Sequence, residues 1–302
     1  MIKTILISSL ILVTAAIFIG CGETSSTGGT QQSSGSGNFL VDIGSGFVPG
    51  GAGGYVVAGT KFAQAMNLNE KDEDQLGQTV AIQITNARHV SEDHSLSDYV
   101  ALVGYTVSEA SPRPDGNFVF GILDTDEVGA YSGPNGYIMI TRGSLKHMRD
   151  EAELAGVLAH EIAHVCHEDG LNAVKNAKTN DALATAASTA ANRSDNFGLL
   201  DASSDLLFRN IFTKGYDRDQ ELNADRSAVH YMAAAGYDPA SYQRFIERIS
   251  GEQHSGQGGL FSTHPGFDER KNVVAEEIAR TGKGGIGGTN ADRFMTETAS
   301  IK

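Results

Sequence analysis

Only two cysteines, Cys21 and Cys166, occur in the 302 residues of the chain. A disulfide-stapled scaffold is thereby excluded, and a domain of this size needs no such staple to hold a core. Basic residues are also scarce, with 23 Lys and Arg against 37 Asp and Glu and a formal net charge of −14. Neutralising a phosphate backbone takes clustered Lys and Arg, so nucleic acid is excluded as a partner. No apolar run of membrane length follows the first 20 residues, so the body of the chain is expected to be soluble, and no internal repeat is visible.

What is there begins with MIKTILISSLILVTAAIFIG, residues 1–20, a lysine followed by an almost unbroken apolar run. That is the layout of a secretory signal, with a plain transmembrane anchor as the alternative. The run closes on Ile19-Gly20-Cys21 and gives way to GETSSTGGTQQSSGSG, a tether without core-forming residues. A small residue and a cysteine after an apolar run resemble the lipobox of bacterial lipoproteins. The resemblance implies a cleaved signal peptide over 1–20, lipid attachment at Cys21 and a flexible tether over 21–45. It further implies a membrane contact through an N-terminal lipid anchor in the bacterial cell envelope. Gly22 in place of Asp favours the outer membrane, facing the periplasm. Loss of Lys3 with the signal takes the net charge from −14 to −15.

The folded domain is assigned to 46–282, and the Gly/Thr-rich residues 283–302 to a disordered tail. Helical patterns run from Lys61 to Ala87, from Gln220 to Gly236, from Pro239 to Ile249 and from Glu269 to Arg280. Leu96–Val107 starts with helical spacing and ends in β-branched residues, which predicts helix then strand. Asn117–Asp124 and Tyr137–Thr141 read as strands around the turn signal SGPNG, hence a hairpin-like unit. Ser144–Met148 reads as a short helix. The Ala-rich stretch 172–192 reads as a weakly packed helix or a lid, and Leu199–Phe212 as a further helix. The fold class is therefore α+β, mainly helical, with a small β-sheet.

The best-determined helix runs from Glu151 to about Glu168, with Asp150 as N-cap, Glu151 and Glu153 in the first turn and Gly170 near its end. It contains His160-Glu-Ile-Ala-His164. Positions i and i+4 share one helical face about one turn apart, so both imidazoles can bind one ion. Glu161 is rotated off that face and reaches a water on the ion as general base. This is the pattern of zinc-assisted hydrolysis, with one Zn2+ per chain. Catalytic zinc takes a third protein ligand. The places six and three residues after His164 hold Gly170 and His167, so a third histidine with that spacing is absent. His167 suits a helix end, and Cys166 points elsewhere on the helix. The remaining candidate is Glu221, 57 residues beyond His164 in DRDQELNADR, with Asp225 one turn on. On spacing alone this pair is equally a solvated acidic face. If it does face the metal, Asp225 accepts a hydrogen bond from a ligand histidine.

HEIAH followed by ELNAD resembles the gluzincin metallopeptidases of the HtpX and CAAX prenyl protease family, and within it the periplasmic lipoprotein members. GYIMITRGSLKHMRDEAELAGVLAHEIAHVCH and STHPGFDER match its other segments in order, from about Phe118 to Arg280. The resemblance implies a gluzincin-type metallopeptidase domain with Glu221 as third ligand and Asp225 and Arg270 in support. It gives His264 one of three roles: a displaceable fourth ligand, an oxyanion donor, or a structural turn. The sequence departs from the family at Val128-Gly129-Ala130-Tyr131. The expected substrates are unfolded or misassembled envelope proteins and peptides, pairing with the Tyr137–Thr141 strand as the edge beside the cleft. A chaperone-like lipoprotein that binds such proteins and rarely cuts is the rival reading.

Overall fold

Residues 151–165 are all buried, the first-turn acids and the HEIAH side chains included, so this helix lies in the core. In the computed structural model, which describes residues 70–176, 207–208, 215–252, 264 and 266–301, this helix is the axis on which the rest is assembled. The elements are α1 (Glu70–Ala87), α2 (His94–Ser108), β1 (Val119–Leu123), β2 (Ala130–Ser132), β3 (Tyr137–Thr141) and α3 (Arg142–His147). After these come α4 (Glu151–Cys166), α5 (Asp169–Asn176), α6 (Arg218–Ala234), α7 (Pro239–Glu252), α8 (Phe267–Thr281) and α9 (Ala291–Glu297). The class is α+β and mainly helical, as the pattern predicted. The signal peptide, the tether, residues 177–192 of the Ala-rich stretch and most of Leu199–Phe212 lie outside the described residues. No helix among the described residues is long and apolar enough to cross a membrane.

Asp150 caps α4 through Glu153 N, 2.8 Å from its Oδ1. The helix α4 packs against α2, α6 and α7 around Leu154, Leu158, Ile162, Val229, Phe245 and Ile246. Gly156 permits the approach of α7, because a Cβ there would lie 2.6 Å from Cβ of Tyr242. The helix ends at Cys166 with His167 as its C-cap, not at Gly170, which lies in α5. The reversal is made by Glu168 at φ 56°, a left-handed conformation that turns Asp169 back toward the helix.

Three expectations are overturned. Leu96–Val107 is helical throughout, within α2: Asp93 caps it and Val100, Val103 and Val107 bury one face, so packing overrides β-branched propensity. The two predicted strands do not form a hairpin. β1 and β3 run parallel, and the short β2 lies antiparallel to β3 on its other side, giving the order β1-β3-β2. Tyr137–Thr141 is consequently the central strand, and Ala130–Ser132 is an edge. The SGPNG turn joins β2 to β3, with Asn135 at φ 57°.

Residues 283–301 are ordered, against the expected disordered tail. Gly288 pairs with Tyr237 in an isolated bridge, and a Cβ at Gly287 (φ +124°) would lie 2.5 Å from the Tyr237 carbonyl carbon. Thr289 O accepts from the backbone N–H of Glu151 and Ala152, and Phe294 on α9 is fully buried. Glycine was read as disorder where it permits backbone-to-backbone packing.

Candidate metal centre

Helix α4 presents His160, Glu161 and His164; α6 presents Glu221 and Asp225; His264 precedes α8, which carries Arg270. All seven side chains are buried. The structure brings one atom each from His160, His164, Glu221 and His264 within 4.8 Å of one another. Nε2 of His160 lies 3.1 Å from Nε2 of His164 and 3.3 Å from Nδ1 of His264. Glu221 Oε1 lies 2.9 Å from His264 Nδ1 and 3.6 Å from His164 Nε2, and its Oε2 lies 3.4 Å from His160 Nε2. Tetrahedral ligands about 2.0–2.1 Å from a zinc ion stand about 3.3 Å apart, so the spacing suits one such ion.

The opposite ring nitrogens fix the tautomers. His160 Nδ1 is 2.9 Å from Asp225 Oδ1, and His164 Nδ1 is 2.7 Å from Asp169 Oδ2. His264 Nε2 is 3.3 Å from the carbonyl oxygen of Ala130. A neutral imidazole that donates from one nitrogen offers a lone pair at the other. Assigned this way, three lone pairs and the Glu221 carboxylate converge on one point, which is stable only around positive charge. Burial pulls His160 down and Arg270 assists, yet Asp225 and Glu221 lift it to about 9. The same carboxylates favour a cation beside that ring. Burial and the His160 charge hold His164 well below its ordinary value, as an imidazole ligand requires.

Asp225 is gripped from two sides. Arg270 donates to it from Nε and Nη2, both at 2.8 Å, and the Tyr242 hydroxyl donates at 2.8 Å. Burial pushes the Asp225 carboxyl up, but Arg270 and His160 bring it far below the usual carboxylate range. Arg270 Nη1 also reaches Glu221 Oε2 at 3.1 Å. A buried guanidinium thus holds Asp225, the partner of His160, and also faces Glu221 directly. Glu161 is different: both its oxygens are buried without a hydrogen-bond partner, although His264 Nε2 stands 3.3 Å from Oε1. A buried carboxylate left without a well-formed hydrogen bond, at about 1–3 kcal/mol or more, has room to accept from a further proton donor.

Sequence reasoning missed Asp169, Tyr216 and Tyr242. Burial raises Asp169 to about 6, and Gln220 Nε2 donates to its Oδ1 at 3.0 Å. Asp169 stands five residues after His164, outside helical register, and reaches it only because Glu168 breaks the helix. The Tyr216 ring stacks on His164 at 4.1 Å between centroids, and its hydroxyl donates to Ser132 O at 3.2 Å. His167 caps α4 and its Nε2 lies 3.1 Å from Ser227 Oγ, while Cys166 is half-buried and outside the cluster.

The strand beside this centre is β2. Gly129 O and Gly133 N pair with β3, so the backbone groups of Ala130 and Ser132 between them face the other way, toward the site.

The profile of peptidase family M48 matches residues 96–278, more than half of the chain and inclusive of every residue of the cluster. Among curated relatives is a beta-barrel assembly-enhancing protease of Escherichia coli O157:H7, 22% identical over 213 residues, which are 68% of this chain and 43% of that protein. A putative beta-barrel assembly-enhancing protease of Vibrio cholerae is 25% identical over 204 residues, 65% of this chain and 42% of the relative. One from Yersinia pestis is 24% identical over 224 residues, 70% and 44% respectively. The chain spans less than half the length of these relatives.

Proposed function

We propose, from the premise that this chain belongs to peptidase family M48 and is a metalloprotease, that it is a zinc endopeptidase of the bacterial envelope acting on unfolded or misassembled envelope proteins. The observation that carries the reading is the meeting of three imidazole nitrogens and a carboxylate beside Glu161, whose oxygens accept no hydrogen bond. His160, His164 and Glu221 would hold the zinc, and His264, close to all three, would be a displaceable further ligand. A zinc ion there supplies Lewis acidity, which acidifies a water and polarises a peptide carbonyl. Glu161 would act as general base, taking a proton from the attacking water and passing it to the departing amine. Asp225 and Asp169 fix the two histidine tautomers, and Arg270 keeps Asp225 ionised.

An extended substrate pairs with the outward backbone of Ala130 and Ser132. Main-chain pairing accepts many sequences, which suits unfolded chains. The envelope setting rests on the resemblance of residues 1–22 to a lipoprotein signal with lipid on Cys21, and on relatives named for beta-barrel assembly. The rival is a chaperone-like binder, and the closeness of His264 to the ligand cluster favours it to the extent that a closed centre cuts slowly.

The test compares the purified protein with Glu161→Gln for cleavage of casein, with zinc measured in the same samples. The proposal expects about one zinc in each and a loss of at least about 100-fold in cleavage for the variant. Zinc in both with equal, negligible cleavage transfers the assignment to the binder. Absence of zinc from both removes the metal assignment.

A further inference from the structure

The two carbonyls that a substrate strand needs are both already occupied. Ala130 O lies against His264 Nε2 at 3.3 Å, and Ser132 O accepts from the Tyr216 hydroxyl at 3.2 Å. Alternate residues of a strand lie about 6.6–6.8 Å apart and point the same way, the repeat with which an added strand pairs. Side chains from two remote segments therefore occupy successive hydrogen-bonding places of an absent neighbouring strand. We infer that Tyr216 is a positioning residue whose hydroxyl guards the substrate edge: an extended peptide must displace it from Ser132 O before docking on β2. The inference rests on the peptidase reading for its substrate and extends it to a residue outside the ligand set.

The local build supports a hydroxyl that lets go while the metal site holds. Tyr216 sits between Gly215, at φ 71°, and Asp217, the N-cap of α6. Asp217 accepts from Gln220 N at 3.0 Å and donates its own N–H to Gln220 Oε1 at 3.0 Å, a closed capping box. That box holds the start of α6, and with it Glu221, independently of Tyr216. Glycine upstream leaves the tyrosine backbone free to readjust. The ring itself lies on His164, so ring and hydroxyl have separable effects: the ring steadies a ligand, and the hydroxyl competes with substrate. Ser132 reinforces the reading, because its own Oγ is buried without a hydrogen-bond partner among the described residues. The tyrosine hydroxyl has thus settled on the backbone carbonyl and left that side-chain oxygen unserved.

Tyr216→Phe keeps the ring and removes the guard. Initial-rate kinetics on an unstructured fluorogenic peptide, with zinc content measured alongside, are expected to give a KM about five-fold lower, the worth of one ordinary hydrogen bond no longer broken on docking. The kcat should stay within about two-fold. In a Glu161→Gln background, anisotropy with the same peptide should show Kd falling by the same factor. Adding His264→Ala, which frees Ala130 O, should lower it further. An unchanged or raised KM and Kd in Tyr216→Phe overturns the inference. So does a kcat loss of ten-fold or more at constant KM, which would make the hydroxyl a donor to the transition state. If the wild type binds peptide and never cuts it, the peptidase reading fails, while the Kd comparison still decides for or against the guard.

Discussion

Replacing Arg293 with Met tests whether the C-terminal segment is part of the metallopeptidase body. Glu151, in the first turn of α4, has a fully buried side chain. Tyr99 donates to it at 2.9 Å, Tyr237 at 2.8 Å and Asn290 at 3.1 Å, and Arg293 makes a two-pronged contact through Nε and Nη2. Removing one partner of a buried ion pair costs about 3–5 kcal/mol. Here three neutral donors remain and Arg293 is half exposed, so about 2 kcal/mol is expected at neutral pH. Burial pushes the Glu151 carboxyl up, but Arg293, Tyr237, Tyr99 and Asn290 together bring it below its ordinary value. A depressed folded-state value gives stability that is complete above the unfolded value of about 4.3 and is lost as pH falls through the folded one. The gap between wild type and variant should therefore be widest at pH 7 and close below about pH 4. Urea unfolding of metal-free samples across that range measures it without interference from zinc loss. A gap under about 0.5 kcal/mol at pH 7, or one that persists unchanged in acid, refutes the clamp. Phe294→Ala is the apolar companion, expected to cost about 3–5 kcal/mol from a fully buried ring.

Two further outcomes follow from the metal centre. Asp225→Asn removes the closer of the two carboxylates that face buried Arg270, leaving Glu221 alone, and unsettles the His160 tautomer. Zinc affinity in a chelator competition should fall about 10–100-fold, and the metal-free protein should lose about 3 kcal/mol or more in urea unfolding. His264→Ala opens the fourth position and should raise cleavage of a short unstructured peptide several-fold at unchanged zinc content. A loss of cleavage instead assigns His264 to the oxyanion.

Side chains at helical spacing were legible because they need only one element. His160, Glu161 and His164 were placed by α4 alone, and its cap at Asp150 and first-turn acids were read correctly. Glu221 and Asp225 were visible as a pair, but only the resemblance turned them toward the histidines, since no local pattern states where α6 packs. Whatever depends on a break in regularity escaped. Asp169 reaches His164 because Glu168 adopts a left-handed conformation, and no residue preference announces that at a glutamate. The sheet order was misread because the hairpin signal at SGPNG was assigned to the wrong pair of strands. A three-residue strand, Ala130–Ser132, is too short to show alternation. The C-terminal segment was misread because glycine serves both slack and close packing, and only the partner surface at Tyr237 separates the two.

The four inward-facing groups are not held equally, and the gradation bears on the proposed cycle. His160 leans on Asp225 at 2.9 Å, itself fixed by a buried guanidinium, and His164 leans on Asp169 at 2.7 Å with Tyr216 against its ring. Glu221 is anchored by Arg270 at 3.1 Å. The two histidine contacts are to carboxylates, worth about 1.5–3 kcal/mol against about 0.5–1.5 kcal/mol for a neutral pair, and the Glu221 contact is an ion pair. His264 is held more loosely: its far nitrogen stands 3.3 Å from both the Ala130 carbonyl and Glu161 Oε1, longer than the 2.9 and 2.7 Å contacts of His160 and His164, and its backbone is tied by a 3.4 Å contact from Arg270 Nη1. A site meant to keep four ligands would support all four alike. One with three ligands fixed by charge and a fourth resting on the substrate edge is built to yield at that point. Under the proposed function, a peptide that pairs with Ala130 O would take one support from His264 as it docks on β2.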